Sequence, residues 1–207
     1  MERKLELRMY GLVPHNISPI QQGIQYGHAK DEYTLCMLDS IIKNGVNSDV
    51  ILYMDWLRNW KTYIILNGGT TNTNPDRLGT LNKHLQTLKD NNIFCTSFYE
   101  PDLGDQLTGV DFIVDERVFK VKPLFEGDLF YADFEDWVIL NHPESLTNPN
   151  LYAGKIGNTY QIGKFIKTST DPNDQKIYQE WVNFVGGDKN VFLRGFLGTS
   201  RKNFNLA

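Results

Sequence analysis

Along the first half of the chain the apolar positions change period several times, and each change marks an element. Leu5, Leu7, Met9 and Gly11-Leu12-Val13 recur mostly every second residue and stop at Pro14, which predicts a strand over residues 4–13. Ser18 then offers a cap and Pro19 a residue suited to the first helical position. Ile20, Gly23, Ile24, Gly27 and His28 follow at helical spacing, so a helix is expected to run to about Lys43. Trp60 to Leu66 is short, aromatic and β-branched, and it ends in the breaker run Asn67-Gly68-Gly69-Thr70-Thr71, giving a second strand and an open loop. Leu78, Leu81, Leu85 and Leu88 space a second helix. Ile93 to Tyr99 and Gly109 to Val114 read as two more strands, separated by the polar run Glu100 to Asp105. The expected core is therefore β-α-β-α-β-β.

From about Phe119 to Ile177 the texture shifts to short aromatic runs broken by Gly, Pro and Asn. Phe130-Tyr131, Trp137 to Leu140 and Tyr160-Gln161-Ile162 are its candidate strands. Ile177, Trp181, Phe184, then Val191, Phe192, Phe196 and Leu197 return to helical spacing around Gly186-Gly187-Asp188, which predicts two short helices packing back on the core. The division expected is an α/β core over 1–119, a β-rich insertion over 120–175 and C-terminal helices over 176–207.

Composition narrows the function classes. With 207 residues, 41% hydrophobic and 22% charged, the chain can bury a core without disulfides. A net charge of −4 argues against a protein that coats nucleic acid, because that affinity comes from Lys and Arg on phosphates. No run of 18 apolar residues occurs, and Met1-Glu2-Arg3-Lys4 leads into an alternating strand, so neither a membrane span nor a signal peptide is expected and the cytoplasm is the expected location. Cys36 and Cys95 fit no ligand spacing and read as packed, reduced thiols. Asp102 and Asp105 lack the alternating oxygen ligands of a calcium loop, and no Gly-x-Ser-x-Gly, His-Glu-x-x-His or P-loop motif is present. Neither a metal nor a cofactor is expected.

The first strand, then Ser18-Pro19-Ile20-Gln21-Gln22-Gly23-Ile24-Gln25-Tyr26-Gly27-His28-Ala29, then Tyr63-Ile64-Ile65-Leu66, a helix with Leu85 and Leu88, and Thr96-Ser97-Phe98 with Thr108-Gly109-Val110 follow one another in a telling order. This order resembles the archaeal and eukaryotic type of peptidyl-tRNA hydrolase over roughly residues 5–116. Together with Trp181 to Gly187 and Phe192 to Leu197, the same stretch also resembles a family of small proteins of tailed bacteriophages. The resemblance implies a four-stranded mixed sheet flanked by helices, a homodimer, and cleavage of the ester that joins a peptide to tRNA. It puts Gln21 where the hydrolases carry a lysine, Asn92 where they carry an aspartate, and Thr108 on a matching threonine. Amides hydrogen-bond a ligand but do not titrate near neutral pH, so the resemblance implies the fold more than the hydrolysis.

The remaining candidates are binding residues. His15 and Asn16 lie next to a helix N-terminus, whose free amides favour anions. Gln21 and Gln22 open that helix, while Asn67, Thr70 and Thr71 sit in a loop with amides and hydroxyls suited to ribose or phosphate. Tyr99 can stack on a base and Glu100 can accept from ribose hydroxyls; Thr108 follows. Between Phe98 and Leu140 eleven acids face three basic residues, a surface that repels tRNA, whereas Lys189, Arg194, Arg201 and Lys202 against Asp188 make the C-terminus basic, with Arg194 and Arg201 the expected phosphate contacts. These residues point to a catalytically degenerate, phage-type protein that holds a nucleotide-like ligand, such as a host immune signal captured from its effector. The alternatives are a peptidyl-tRNA or related ester hydrolase using Gln21, Asn92 and Thr108, and an inhibitor that binds a host protein through the aromatic insertion.

Overall fold

The structure is a computed structural model that describes residues 4–120, 133–143, 155–156, 159–160 and 170–198. The chain divides into two compact units, residues 1–116 with 195–207, and residues 117–194.

The first unit is built on a four-stranded mixed sheet in the order β2-β1-β4-β3. β1 (Leu7–Pro14) runs parallel to β2 (Thr62–Gly69) and antiparallel to β4 (Gln106–Asp115); β3 (Thr96–Glu100) pairs antiparallel with β4 on the far edge. β1 and β4 are central, and both are buried along almost their whole length, although β1 reads in sequence as a mostly alternating run. Met9 and Val13 face one side with Ile113, against α1 (Pro19–Asn44) and α2 (Ser48–Asp55). On the other side α3 (Thr80–Asp90) buries Leu81, Leu85 and Leu88. Phe196, from the chain's end, stacks edge-on against both His84 and Phe112.

α1 begins where the sequence places it. Ser18 and Gln21 form a reciprocal capping box, with Pro19 in the first turn, and the helix stops at Gly45, whose φ of 78° suits glycine. Replacing Ser18 with alanine leaves the Gln21 amide without its acceptor and is expected to cost about 1 kcal/mol, read from urea denaturation. The helix lies close enough to β4 that a Cβ on Gly109 would stand 2.7 Å from Ala29 Cβ and 2.8 Å from the Gln25 carbonyl oxygen.

α2 and the π-helical turn Trp56–Trp60 that follows it are not among the elements the apolar spacing predicts. Val50, Tyr53 and Trp56 enter the core beside Tyr26 and Tyr33, so Trp60, assigned to a strand from its aromatic neighbours, instead ends a helical segment. Lys61, at φ 51°, breaks it and lets β2 start at Thr62.

In the second unit α5 (Phe134–Asn141) corrects the strand expected at Trp137 to Leu140. Phe134, Trp137 and Val138 share one helical face and bury against Trp181, Val182 and Val185, a core that overrides the β propensity of a four-residue run. α6 (Pro172–Phe184) and α7 (Asp188–Leu197) are the two helices expected at the end of the chain, yet α6 shares its core with α5 from the insertion. The expected boundary at 175/176 therefore runs through one packed cluster. A short helix, α4 (Glu116–Phe119), ends the core strand, and β5 (Lys155–Ile156) pairs antiparallel with β6 (Thr159–Tyr160). The expected strand at Phe130-Tyr131 lies outside the described residues.

Candidate functional site

β1, β2 and β3 all finish at the end of the sheet where β4 begins, as the pairs Pro14 with Gly69 and Glu100 with Gln106 show. α1 also starts at this end, where the Gln22 side-chain amide, itself buried, donates to the Pro14 carbonyl at 3.3 Å. In open α/β sheets this is the end at which ligands gather, because strand carboxyl ends and helix amino ends expose unpaired main-chain groups there.

One connected polar row stands between α1, β3 and β4. The buried Thr108 hydroxyl donates to Gln25 Oε1 at 2.6 Å, and Gln25 Nε2 donates to Glu100 Oε2, also at 2.6 Å. His28 Nδ1 lies 3.9 Å from the same carboxylate oxygen, and its ring sits edge-on to Phe98 with centroids 4.5 Å apart. Gln25 and His28 lie three residues apart on one face of α1, while Phe98 and Glu100 are two apart on β3, so both pairs meet without strain. The row runs outward from a buried hydroxyl to a half-exposed imidazole. Both ends of the Gln25 amide are occupied, which fixes its orientation and holds one Glu100 oxygen in place. A carboxylate held this way accepts hydrogen bonds from vicinal hydroxyls or an amine, and the neighbouring imidazole can donate to, or take a proton from, the same guest.

The loops that follow β1 and β2 at this end of the sheet are built largely from their own hydrogen bonds. The main-chain N–H of His15 donates to the Gly69 carbonyl at 3.0 Å, and His15 Nδ1 lies 3.0 Å from the same oxygen. Asn16 is exposed in the turn that follows. Asn67 Oδ1 accepts from the Gly69 N–H, and the Thr70 and Thr80 hydroxyls lie 3.0 Å apart and close the start of α3. Thr71 Oγ1 is buried without a hydrogen-bond partner. These groups tie the loop after β2 to the start of α3, on the face of the sheet away from α1.

Other expected residues lie elsewhere. Gln21 is exposed and spent on the capping box, so it does not stand beside Thr108. Asn92 ends α3 in a left-handed conformation, with its N–H donating to the Lys89 carbonyl, on the approach to β3 rather than at its Glu100 end. Tyr99 is exposed and falls between two residues that both face α1, outside the polar row. Arg194 corrects the expectation of a phosphate contact: it is 3% exposed, donating to the Arg117 carbonyl at 2.6 Å and to Asp133 at 2.7 Å. Arg201 lies outside the described residues. Cys36 proves exposed and Cys95 half-buried; burial pushes the Cys95 thiol up to about 11, which keeps it protonated and poorly nucleophilic. Among the described residues no cluster of three or more His, Cys, Asp or Glu side chains could hold a metal ion, and no helix is long and apolar enough to cross a membrane.

Gln25, His28 and Asp111 are not among the residues expected from sequence to form a site, His28 reading there as a structural histidine. Gln25 was legible only as part of a family-like signature, although its place three residues before His28 put both on one face. Asp111 stands inside the otherwise apolar run Gly109 to Val114, and it is fully buried with neither carboxylate oxygen hydrogen-bonded. Burial pushes its pKa well above the ordinary carboxylate range, with the Lys30 charge opposing this only in part. The nearby Tyr26 hydroxyl is also buried without a partner. Compared with protein-family models and with curated proteins, the chain matches none.

Proposed function

We propose that this chain is a binding protein that holds a nucleotide-like small molecule at the carboxyl end of its sheet. In this reading it is a phage-type sponge: it keeps a host immune nucleotide signal from its effector without converting it. The observation that carries the reading is the Thr108–Gln25–Glu100 row, whose 2.6 Å hydrogen bonds hold a carboxylate ready for a ribose edge. Preorganisation of this kind supports tight capture, because little ordering remains for the ligand to impose. The peptidyl-tRNA-hydrolase-like fold and the phage origin belong to this proposal and rest on the resemblance carried by residues 18–29, 96–98 and 108–110.

A second reading has one specific observation in its favour. The Glu100–His28 pair is a carboxylate–imidazole arrangement at 3.9 Å, which suits a general base in an ester hydrolase acting on peptidyl-tRNA or a nucleotide. The two readings part on what leaves the protein. Heat-denatured protein, purified after exposure to lysate from cells with an active nucleotide-signalling defence, is expected to release an intact nucleotide at close to one per chain, identified by mass spectrometry. Release of a cleaved product, or turnover of peptidyl-tRNA that His28→Asn abolishes, would replace capture with hydrolysis. An empty protein would overturn capture, and an empty protein without turnover of peptidyl-tRNA would overturn both. Glu100→Gln and Thr108→Val are each expected to weaken loading on the order of 10–100-fold, since each removes one member of a hydrogen-bonded, partly charged row.

A further inference from the structure

Among the described residues thirteen large apolar side chains are exposed, and eight of them fall between Ile20 and Ile51. Five form a single stripe on α1: Ile20, Ile24, Leu35, Leu38 and Ile42. It runs directly opposite the face that α1 buries, which carries Tyr26, Ala29, Tyr33 and Met37. Ile20 and Ile24 are four apart, Leu35 and Leu38 three, Leu38 and Ile42 four, the spacing of a coiled-coil seam. Gly27 and Asp31 fill the gap in the same register.

We infer that α1 pairs antiparallel with α1 of a second copy of this chain across this seam. The stripe reads the same in both directions about Asp31. With a two-fold axis at that residue, Ile20 meets Ile42 of the second copy, Ile24 meets Leu38 and Gly27 meets Leu35. A closed dimer needs this self-complementarity, because every contact occurs twice with the roles exchanged; a different partner gives no reason for it. Gly27 has open space where a Cβ would stand, which leaves a hole for the opposing Leu35. Across the axis one carboxylate–imidazole pair and one pair of like carboxylates meet. His28 and Glu32 lie on the same flank of the seam and face one another across the axis. The two Asp31 side chains meet at its centre, each already paired with its own Lys30 at 2.5 Å. A polar residue at one core position fixes register at a cost in stability. The pairing is independent of the ligand reading, but it brings Glu32 of the second copy beside His28, at the rim of the polar row.

Sedimentation velocity on the full chain tests the pairing. Its mass is expected to rise from 23.9 kDa toward twice that value as concentration increases into the micromolar range. Leu38→Glu is expected to weaken association on the order of 100-fold while leaving the circular dichroism unchanged, since this side chain is exposed in the single chain. Asp31→Leu completes the seam and is expected to tighten association about tenfold or more. In a Cys36→Ser, Cys95→Ser background, chains carrying Ile24→Cys are expected to cross-link through a short bismaleimide to chains carrying Leu38→Cys, and not to each other. A mass of 23.9 kDa at every concentration, a dimer indifferent to Leu38→Glu, or cross-links between two Ile24→Cys chains would each overturn the inference.

Discussion

Gly109→Val is expected to lose roughly 3 kcal/mol of folding stability and the polar row with it, because α1 rests on β4 with no space for a side chain at that point. The smallest addition, a Cβ, would stand 2.7 Å from Ala29 Cβ and 2.8 Å from the Gln25 carbonyl oxygen. Neither neighbour can swing away: one is a methyl on a rigid helix, the other is backbone. Relief requires α1 to lift off the sheet, and Gln25 then leaves Thr108 and Glu100. Ordinary β propensity favours valine over glycine in a strand interior, so a gain in stability would show that the close approach does not constrain the fold. Urea denaturation supplies the measurement, with Gly23→Ala as the internal control. Gly23 has open space for a Cβ and lies within α1, where the same kind of substitution is expected to stabilise by about 0.5–1 kcal/mol.

Asp111→Leu is expected to stabilise the protein at neutral pH by roughly 1–3 kcal/mol, because a buried carboxyl without hydrogen bonds is replaced by an apolar group of similar size. The pH dependence follows from the same burial. Asp111 has its pKa raised in the folded state, so above the unfolded value near 4 the unfolded chain has lost a proton that the folded chain still holds. The stability linked to this group is complete below about pH 4 and declines as pH rises toward the folded pKa, at a slope of up to about 1.4 kcal/mol per pH unit. The difference in unfolding free energy between Asp111→Asn and the parent chain isolates this contribution from that of the other carboxylates. It is expected to shift in favour of the variant between pH 4.5 and 8. A difference that stays constant with pH, or moves the other way, would mean that Asp111 is ionised in the folded protein.

Much of the candidate site was legible in the residues, but not its wiring. Glu100 stands out by its chemistry and Thr108 by its place in the resemblance, and both stand in the polar row. Gln25 connects them and was overlooked, because a glutamine on a helix reads equally well as solvated until a strand hydroxyl and a carboxylate are known to face it. Gln21 and Asn92 show the converse. Both were aligned with titrating groups, but one caps a helix and the other ends one. Local backbone needs claim such side chains before a ligand can. Arg194 looked like a surface cation because the end of the chain is basic, and a charge count carries no information about burial. The count of acids likewise included Asp111 and Glu116, which are both buried.

Local pattern by itself determined the elements with long or sharply punctuated signals: β1, ended by Pro14; α1, started by Ser18-Pro19; α3, spaced by its leucines; and α6 and α7, separated by two glycines at positive φ. Each owes its form to neighbours within one or two turns, so a linear reading suffices. Tertiary structure decided the rest. It made a helix of Trp137 to Leu140, because Trp181 and Val182 offered a helical face to pack against. It drew Val50 to Trp56 into the core as a helix that short local spacing did not announce. It also buried Asp111 and brought Gln25 within 2.6 Å of residues 75 and 83 positions away, because β3 and β4 meet α1 only after the chain has returned twice across the sheet. Long-range pairing of this kind depends on which faces remain apolar once every element has formed, and that sum is not written in any one segment.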